Sequence, residues 1–172
     1  PFECPMAPFG GAEQLAWSPD SKSIAYTCRK KTGVDYATST DSDIYLYDVQ
    51  TGKTKNLCKP AGYKPLPYNP TKTKKDQRLN HQGADYNMGY DTNPQFSPDG
   101  KYVAWQSMKR DGYESDRNRL CVYNLLTGEK TYVAEKFDSN VDAFCWAPNS
   151  RNLYFIGCWH ACVNMYQTDL NG

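Results

Sequence analysis

Hydrophobic and polar positions along this chain fall into a block that recurs. "AWSPDSKSIAYTC" at 16–28 returns as "QFSPDGKYVAWQS" at 95–107 and, more loosely, as "CWAPNSRNLYFIG" at 145–157. Aligned on Trp17, Phe96 and Trp146, the copies need no gap. The aromatic residue is followed by Ser-Pro-Asp, Ser-Pro-Asp or Ala-Pro-Asn. Next comes serine or glycine (Ser21, Gly100, Ser150) and then a cation (Lys22, Lys101, Arg151). Proline presets φ for the second position of a type I turn, and Asp or Asn suits the third, so the block predicts a tight turn. Beyond it, Ile24, Val103 and Leu153 share one column and Tyr26, Trp105 and Phe155 another, with Ala25, Ala104 and Tyr154 between. Apolar β-formers on both parities predict strands covered on both faces.

A second block follows each copy: "DIYLYDVQTG" (43–52), "RLCVYNLLTG" (119–128) and "NMYQTDLNG" (164–172). In the first two, the strand runs into Thr-Gly and returns as "KTKNL" (53–57) or "EKTYVAE" (129–135), which predicts a hairpin. Each unit therefore reads as four antiparallel strands, placed in the second unit at about 92–97, 101–108, 119–126 and 129–135. Four-stranded units recurring every ~40 to 50 residues predict propeller blades, each needing neighbours to bury its faces. Phe96 and Trp146 are 50 residues apart; Trp17 and Phe96 are 79 apart, so the first unit carries about 29 extra residues. The predicted architecture is an all-β, partial β-propeller over 1–172, with two complete blades and most of a third. Its units lie at about 12–58, 92–136 and 141–172, with an inserted loop at 59–91. A β-sandwich with coincidental turns is the rival, disfavoured by three gapless copies. No amphipathic helix pattern of convincing length is present.

Composition narrows the function classes. Of 172 residues, 39% are apolar and 14% aromatic, enough to bury a core, and the net charge of +1 creates no field favouring nucleic acid or an anionic membrane. No apolar run reaches the ~18 residues a spanning helix needs. The chain opens on "PFECP" without a methionine or a signal-like segment, and is expected to be an excised piece. Seven cysteines are an odd number for a disulfide framework, so most are expected to be reduced. Cys28, Cys121 and Cys145 fall in predicted strands, where a thiol packs as a small apolar group.

The aromatic-Ser-Pro-Asp-Gly-Lys turn followed by an apolar strand resembles the WD40-like propeller repeat shared by TolB and the prolyl oligopeptidase family. "PQFSPDGKYVAWQSMKRDGYESDRNRLCVYNLLTG" (94–128), with "PFGGAEQLAWSPDSKSIAYT" (8–27), is similar to the bacterial dipeptidyl and acylaminoacyl peptidases of that family. The resemblance implies a non-catalytic propeller that caps an α/β-hydrolase domain and acts on peptide substrates through it. This chain has no G-x-S-x-G nucleophile elbow, and neither His81 nor His160 has a recognisable nucleophile partner. No catalytic residue, cofactor or metal is expected here. The remaining blades and the hydrolase domain would be the missing partners, and open blade sides would drive self-association of the chain. The resemblance leans towards a periplasmic or exported enzyme, the unpaired cysteines the other way. A TolB-like module that docks a protein partner and serves no enzyme is the alternative function.

Three stretches carry candidate chemistry. "MKRDGYESDRNRL" (108–120) connects the second and third strands of the second unit and is crowded with charge. The bland reading is a solvated loop with ion pairs worth about 0–1 kcal/mol each. The functional reading comes from the resemblance: Glu114 or Asp116 would receive a peptide's free α-amine, and Arg110 would clamp a substrate carbonyl or carboxylate. Cys158-Trp-His160-Ala-Cys162 offers metal-capable groups but no fourth ligand, so a tight connection with packing cysteines is preferred to zinc or to a Cys158–Cys162 disulfide. The 59–91 insertion, rich in proline and lysine, is expected to border a substrate entrance or a neighbouring subunit. Its aspartates argue against single-stranded nucleic acid.

Overall fold

The repeated turn builds one end of each sheet. In the computed structural model, Ser18 Oγ donates to Asp20 Oδ1 at 2.7 Å and accepts from the Ser23 amide at 2.9 Å. Ser97 repeats this with Asp99 (2.7 Å) and the Tyr102 amide (3.0 Å). The next column is left-handed in every copy, with φ of 59° at Ser21, 71° at Gly100 and 57° at Ser150, which accounts for glycine or serine there. The third copy has Ala147 where the serine hydroxyl would be, and Asn149 Oδ1 instead accepts from the Asn152 amide at 3.2 Å, the position of Ser23 and Tyr102. Ser150 Oγ accepts from the Asp99 amide at 3.0 Å, tying adjacent turns together.

The structure describes residues 2–6, 10–64 and 86–172. Strands β1 (Leu15–Trp17), β2 (Ser23–Cys28), β3 (Asp43–Asp48) and β4 (Thr54–Asn56) form one antiparallel sheet in sequence order. Strands β5 (Asp91–Phe96), β6 (Tyr102–Ser107), β7 (Arg119–Asn124) and β8 (Lys130–Val133) form the second. A third, three-stranded sheet holds β9 (Ala143–Trp146), β10 (Asn152–Trp159) and β11 (Cys162–Asp169). The chain is nearly all β, as its repeats imply. Among the described residues the helical exceptions are a single 3-10 turn at Ala12–Gln14 and α1 (Val34–Thr38), both too short to show as a sequence pattern. Most of the 59–91 insertion, residues 65–85, lies outside the described residues, as does His81.

Two apolar layers join the sheets. Ala25 and Ile44 of the first sheet pack against Val103, Trp105, Cys121 and Tyr123 of the second. Ala104, Leu120 and Val122 on the second sheet's other face meet Phe144, Leu153 and Phe155 of the third. The repeated apolar column, expected to be covered on both faces, thus divides. Val103, Trp105, Leu153 and Phe155 are buried between sheets, because each repeat points that column at the preceding sheet. Ile24 and Tyr26 have no preceding sheet and are only half-buried, alongside the exposed Leu15 and Trp17. At the other end the exposed face carries Ile156, Val163 and Met165. Cys145 also faces outward there, against the expectation that it packs. β10 and β11 therefore cover one face only.

Register corrects the reading of the Cys158–Cys162 stretch. Trp159 pairs with Cys162 and Cys158 with Val163 across a two-residue turn, with φ of 51° at His160 and 62° at Ala161. Cross-strand partners share a face and neighbours alternate, so the two thiols project from opposite faces. Both are free and exposed, so they neither pack nor lie opposed for a disulfide.

Candidate functional site

The second-to-third-strand connections of the first two sheets, residues 29–42 and 108–118, lie at one end of the molecule, together with Tyr90 at the entry to β5. Asp111 fastens these connections. Its Oδ1 accepts from Ser39 Oγ at 2.8 Å and the Thr40 amide at 2.7 Å, and Thr40 Oγ1 accepts from the Gly112 amide at 2.7 Å. This carboxylate belongs to the charged stretch read as a solvated loop, yet it is half-buried and structural.

The three candidate ligands part company here. Arg110 and Asp116 bond each other bidentately, Nε to Oδ2 at 3.1 Å and an Nη to Oδ1 at 2.9 Å. The Asp116 carboxylate also accepts the Arg110 amide at 3.0 Å. Burial opposes ionisation of Asp116, but the Arg110 guanidinium outweighs it and holds the carboxyl below the usual range. Arg110 also stacks over the Tyr113 ring at 4.2 Å. Glu114 is exposed and makes no hydrogen bond or ion pair among the described residues.

Glu114 borders two adjoining cavities, of 540 Å³ and 470 Å³, and shares both walls with Arg29 and Tyr90. Met6 and Gly10 of the N-terminal segment and Met108 line the larger, and Thr38–Thr40 the smaller. Arg29 donates to the Ser39 carbonyl at 3.2 Å, lies 3.7 Å from Glu3 and sits over Tyr36. Burial raises the Tyr90 phenol, and the Glu114 charge raises it further. The cleft therefore presents an open carboxylate beside a held guanidinium, a surface suited to a small group carrying both charges.

Behind this cleft lies a buried polar layer that sequence reasoning missed. Lys59 Nζ donates to Asp41 Oδ1 at 2.7 Å and to Asp43, and Lys31 reaches Asp41 Oδ2 at 2.6 Å. Burial opposes the Lys59 charge, but Asp41 and Asp43 outweigh it and keep the ammonium protonated. Asp91 is fully buried. Its Oδ1 accepts from Trp105 Nε1 at 2.6 Å and Asn87 Nδ2 at 2.9 Å, while Oδ2 has no partner among the described residues. Desolvation first, with the Asp43 charge adding to it, pushes Asp91 up to about 8. Asp43, Cys58 and Asp91 bring ligand atoms within 4.8 Å of one another. Cys58 Sγ already accepts the Ile44 amide at 3.2 Å and Asp43 already holds Asn56 and Lys59, so the Lys59 ammonium supplies the cation there. Asp41 and Asp43 head β3 in "TDSDIY" and Asp91 opens β5; carboxylates at strand starts in a chain with few other buried charges were the available signal.

Among solved structures, TolB from Acinetobacter baumannii superposes with a TM-score of 0.57 at 16% identity, covering 92% of this chain and 30% of that one. The acylaminoacyl peptidase of Pyrococcus horikoshii gives 0.51 at 17% identity, covering 83% and 17%. The chain carries TolB-type propeller repeats. By sequence, the chain is similar to a stretch of several dipeptidyl-peptidases 5. That of Porphyromonas gingivalis is 45% identical over 170 residues, 99% of this chain and 21% of the relative. That of Aspergillus fumigatus is 33% identical over 153 residues, 88% and 19%. The chain thus spans about a fifth of the length of the curated relatives it matches. No family model matches it. No helix among the described residues is long and apolar enough to cross a membrane.

Proposed function

We propose that the chain is a non-catalytic propeller segment of a serine exopeptidase, which shapes and screens the path of peptides to a hydrolase domain elsewhere in the parent protein. The observation that carries this reading is 45% identity along 170 residues to a dipeptidyl-peptidase in a stretch with no nucleophile elbow. The hydrolytic groups then belong to the rest of the protein, and this segment contributes recognition. Stacked sheets form a rigid wall that admits extended peptides and turns folded chains away.

Within that role Glu114 receives the free α-amine of the peptide. It is the candidate carboxylate on the cleft wall whose charge is uncommitted, since Asp116 is neutralised by Arg110. An ammonium there gains a charge-assisted bond of about 1.5–3 kcal/mol. The test is Glu114→Gln in the full-length protein with dipeptidyl reporter substrates. Loss of such a bond lowers kcat/KM roughly tenfold to a hundredfold. Unchanged kinetics would reject the role of Glu114, and a full-length protein unable to release dipeptides would reject the exopeptidase reading itself.

A further inference from the structure

The N-terminal segment returns to the first sheet at a single bridge, where Glu3 pairs antiparallel with Arg29 just beyond the end of β2. Extended by one residue, the antiparallel register of this bridge sets Cys4 opposite Cys28. Directly opposed residues of antiparallel strands have Cα atoms about 4.5–5.5 Å apart, inside the ~4.4–6.8 Å that a disulfide spans. Their side chains leave on the same face. The Cys4 thiol acts electrostatically on Cys28 and also on Tyr26, two residues back on the same strand and therefore on the same face. The register places these thiols opposite one another, and the charge interaction agrees with it. Both are reduced in this structure.

We propose that Cys4 and Cys28 form a redox staple, a disulfide that fastens the N-terminal segment to β2 when the protein meets a disulfide-bearing oxidant. The two thiols differ in access: Cys4 is exposed and Cys28 is 3% exposed. Cys4 reacts first. Its thiolate attacks one sulfur of the oxidant, releasing one thiol and leaving a mixed disulfide on Cys4. The Cys28 thiolate then attacks the Cys4 sulfur, expels the second thiol and closes the bond. The protein gives up two electrons and two protons, and one molecule of oxidant becomes two thiols. Desolvation raises both thiols, partially at the exposed Cys4 and by burial at Cys28, so the exchange is slow at neutral pH and the Cys28 side of the finished bond is shielded.

The staple bears on the cleft. Met6 and Gly10, just downstream of Cys4, form the wall facing Arg29 and Glu114. Closing the loop from Cys4 to Cys28 fixes that wall against β2, whereas the reduced segment is held there by the Glu3 contacts with Arg29 and Tyr36 and by Met6 with Gln14.

The test uses the full-length protein purified without reductant, incubated with oxidised glutathione, then denatured, alkylated in the denatured state so that burial protects no thiol, and digested with trypsin. The peptide ending at Lys22 and the peptide Ser23–Arg29 are expected as one linked species, which separates on reduction, with loss of alkylation at both cysteines. In Cys4→Ser, whose altered side chain is exposed, Cys28 is expected to stay alkylatable under the same oxidant. Native protein in which both thiols remain alkylatable overturns the proposal. So does Cys4 or Cys28 linked to any other cysteine, or Cys28 protected in Cys4→Ser.

Discussion

Replacing Asp91 by asparagine separates the buried polar layer's energetics from its packing. Asp91 is fully buried and its carboxyl is pushed up to about 8, so at neutral pH the folded protein keeps a proton there that the unfolded chain has released. The unfolded carboxyl titrates near ~3.9. A folded value raised above the unfolded one gives stability that is fully present below about pH 4 and lost as pH rises towards 8. Each pH step of one in that window removes ~1.4 kcal/mol, for a total on the order of 5 kcal/mol by pH 8. Asparagine keeps the acceptor for Trp105 and Asn87 and places an N–H where the protonated Oδ2 carries its hydrogen, but does not titrate. Thermal unfolding of both proteins from pH 5 to 9 gives a difference curve in which other titrating groups cancel. The wild-type chain should fall steadily behind Asp91→Asn up to about pH 8 and then run parallel to it. A difference that is flat across this range, or that favours wild type as pH rises, refutes the buried proton.

Asp111→Ala removes the acceptor shared by Ser39 and Thr40 and should cost about 1–3 kcal/mol, read as a lower denaturant midpoint at unchanged m. Gly157→Ala would set a Cβ 2.5 Å from Phe137 Cε1 and 2.7 Å from the Asn140 carbonyl, so it should cost about 1–3 kcal/mol. Adding Phe137→Leu should recover part of that loss in a double-mutant cycle. The isolated 172-residue chain should self-associate at micromolar concentration through its two exposed sheet faces. Light scattering should then show Val163→Lys with Met165→Lys shifting it towards monomer.

The fold was legible because one local rule repeats. Ser18-Pro-Asp and Ser97-Pro-Asp satisfy their own turn, and alternation beyond the turn sets the strands, so no distant contact need be known. What the repeat could not show is which sheet has a neighbour. Val103 and Ile24 occupy the same column, yet Val103 is 0% exposed and Ile24 is half-buried, because the second sheet has another in front of it and the first does not. Pattern reports what a face requires, and packing depends on what stands opposite. Cys145 shows the same limit: its strand was foreseeable, its outward face was not.

The site was harder to read for a related reason. Charge in the 108–118 connection was visible, but the sequence treats Arg110, Asp111, Glu114 and Asp116 alike. Geometry divides them by partner: Asp111 is spent on Ser39 and Thr40 from the first sheet, Arg110 and Asp116 on each other, and Glu114 on nothing among the described residues. The Arg110–Asp116 pairing forms within the connection, whereas both Asp111 pairings cross some seventy residues of sequence. The polar layer lies further still from local rules. Lys59 follows Leu57-Cys58 just past β4 and Asp91 opens the polar start of β5, so each resembles a loop residue until the sheets close over them. Once closed, an unpaired ammonium among those carboxylates, or the reverse, would cost about 3–5 kcal/mol, which makes the layer a condition for stacking the first two sheets. The cleft at Glu114 is therefore backed by charges that the folded chain cannot release singly, so its wall does not depend on the exposed loop charges alone.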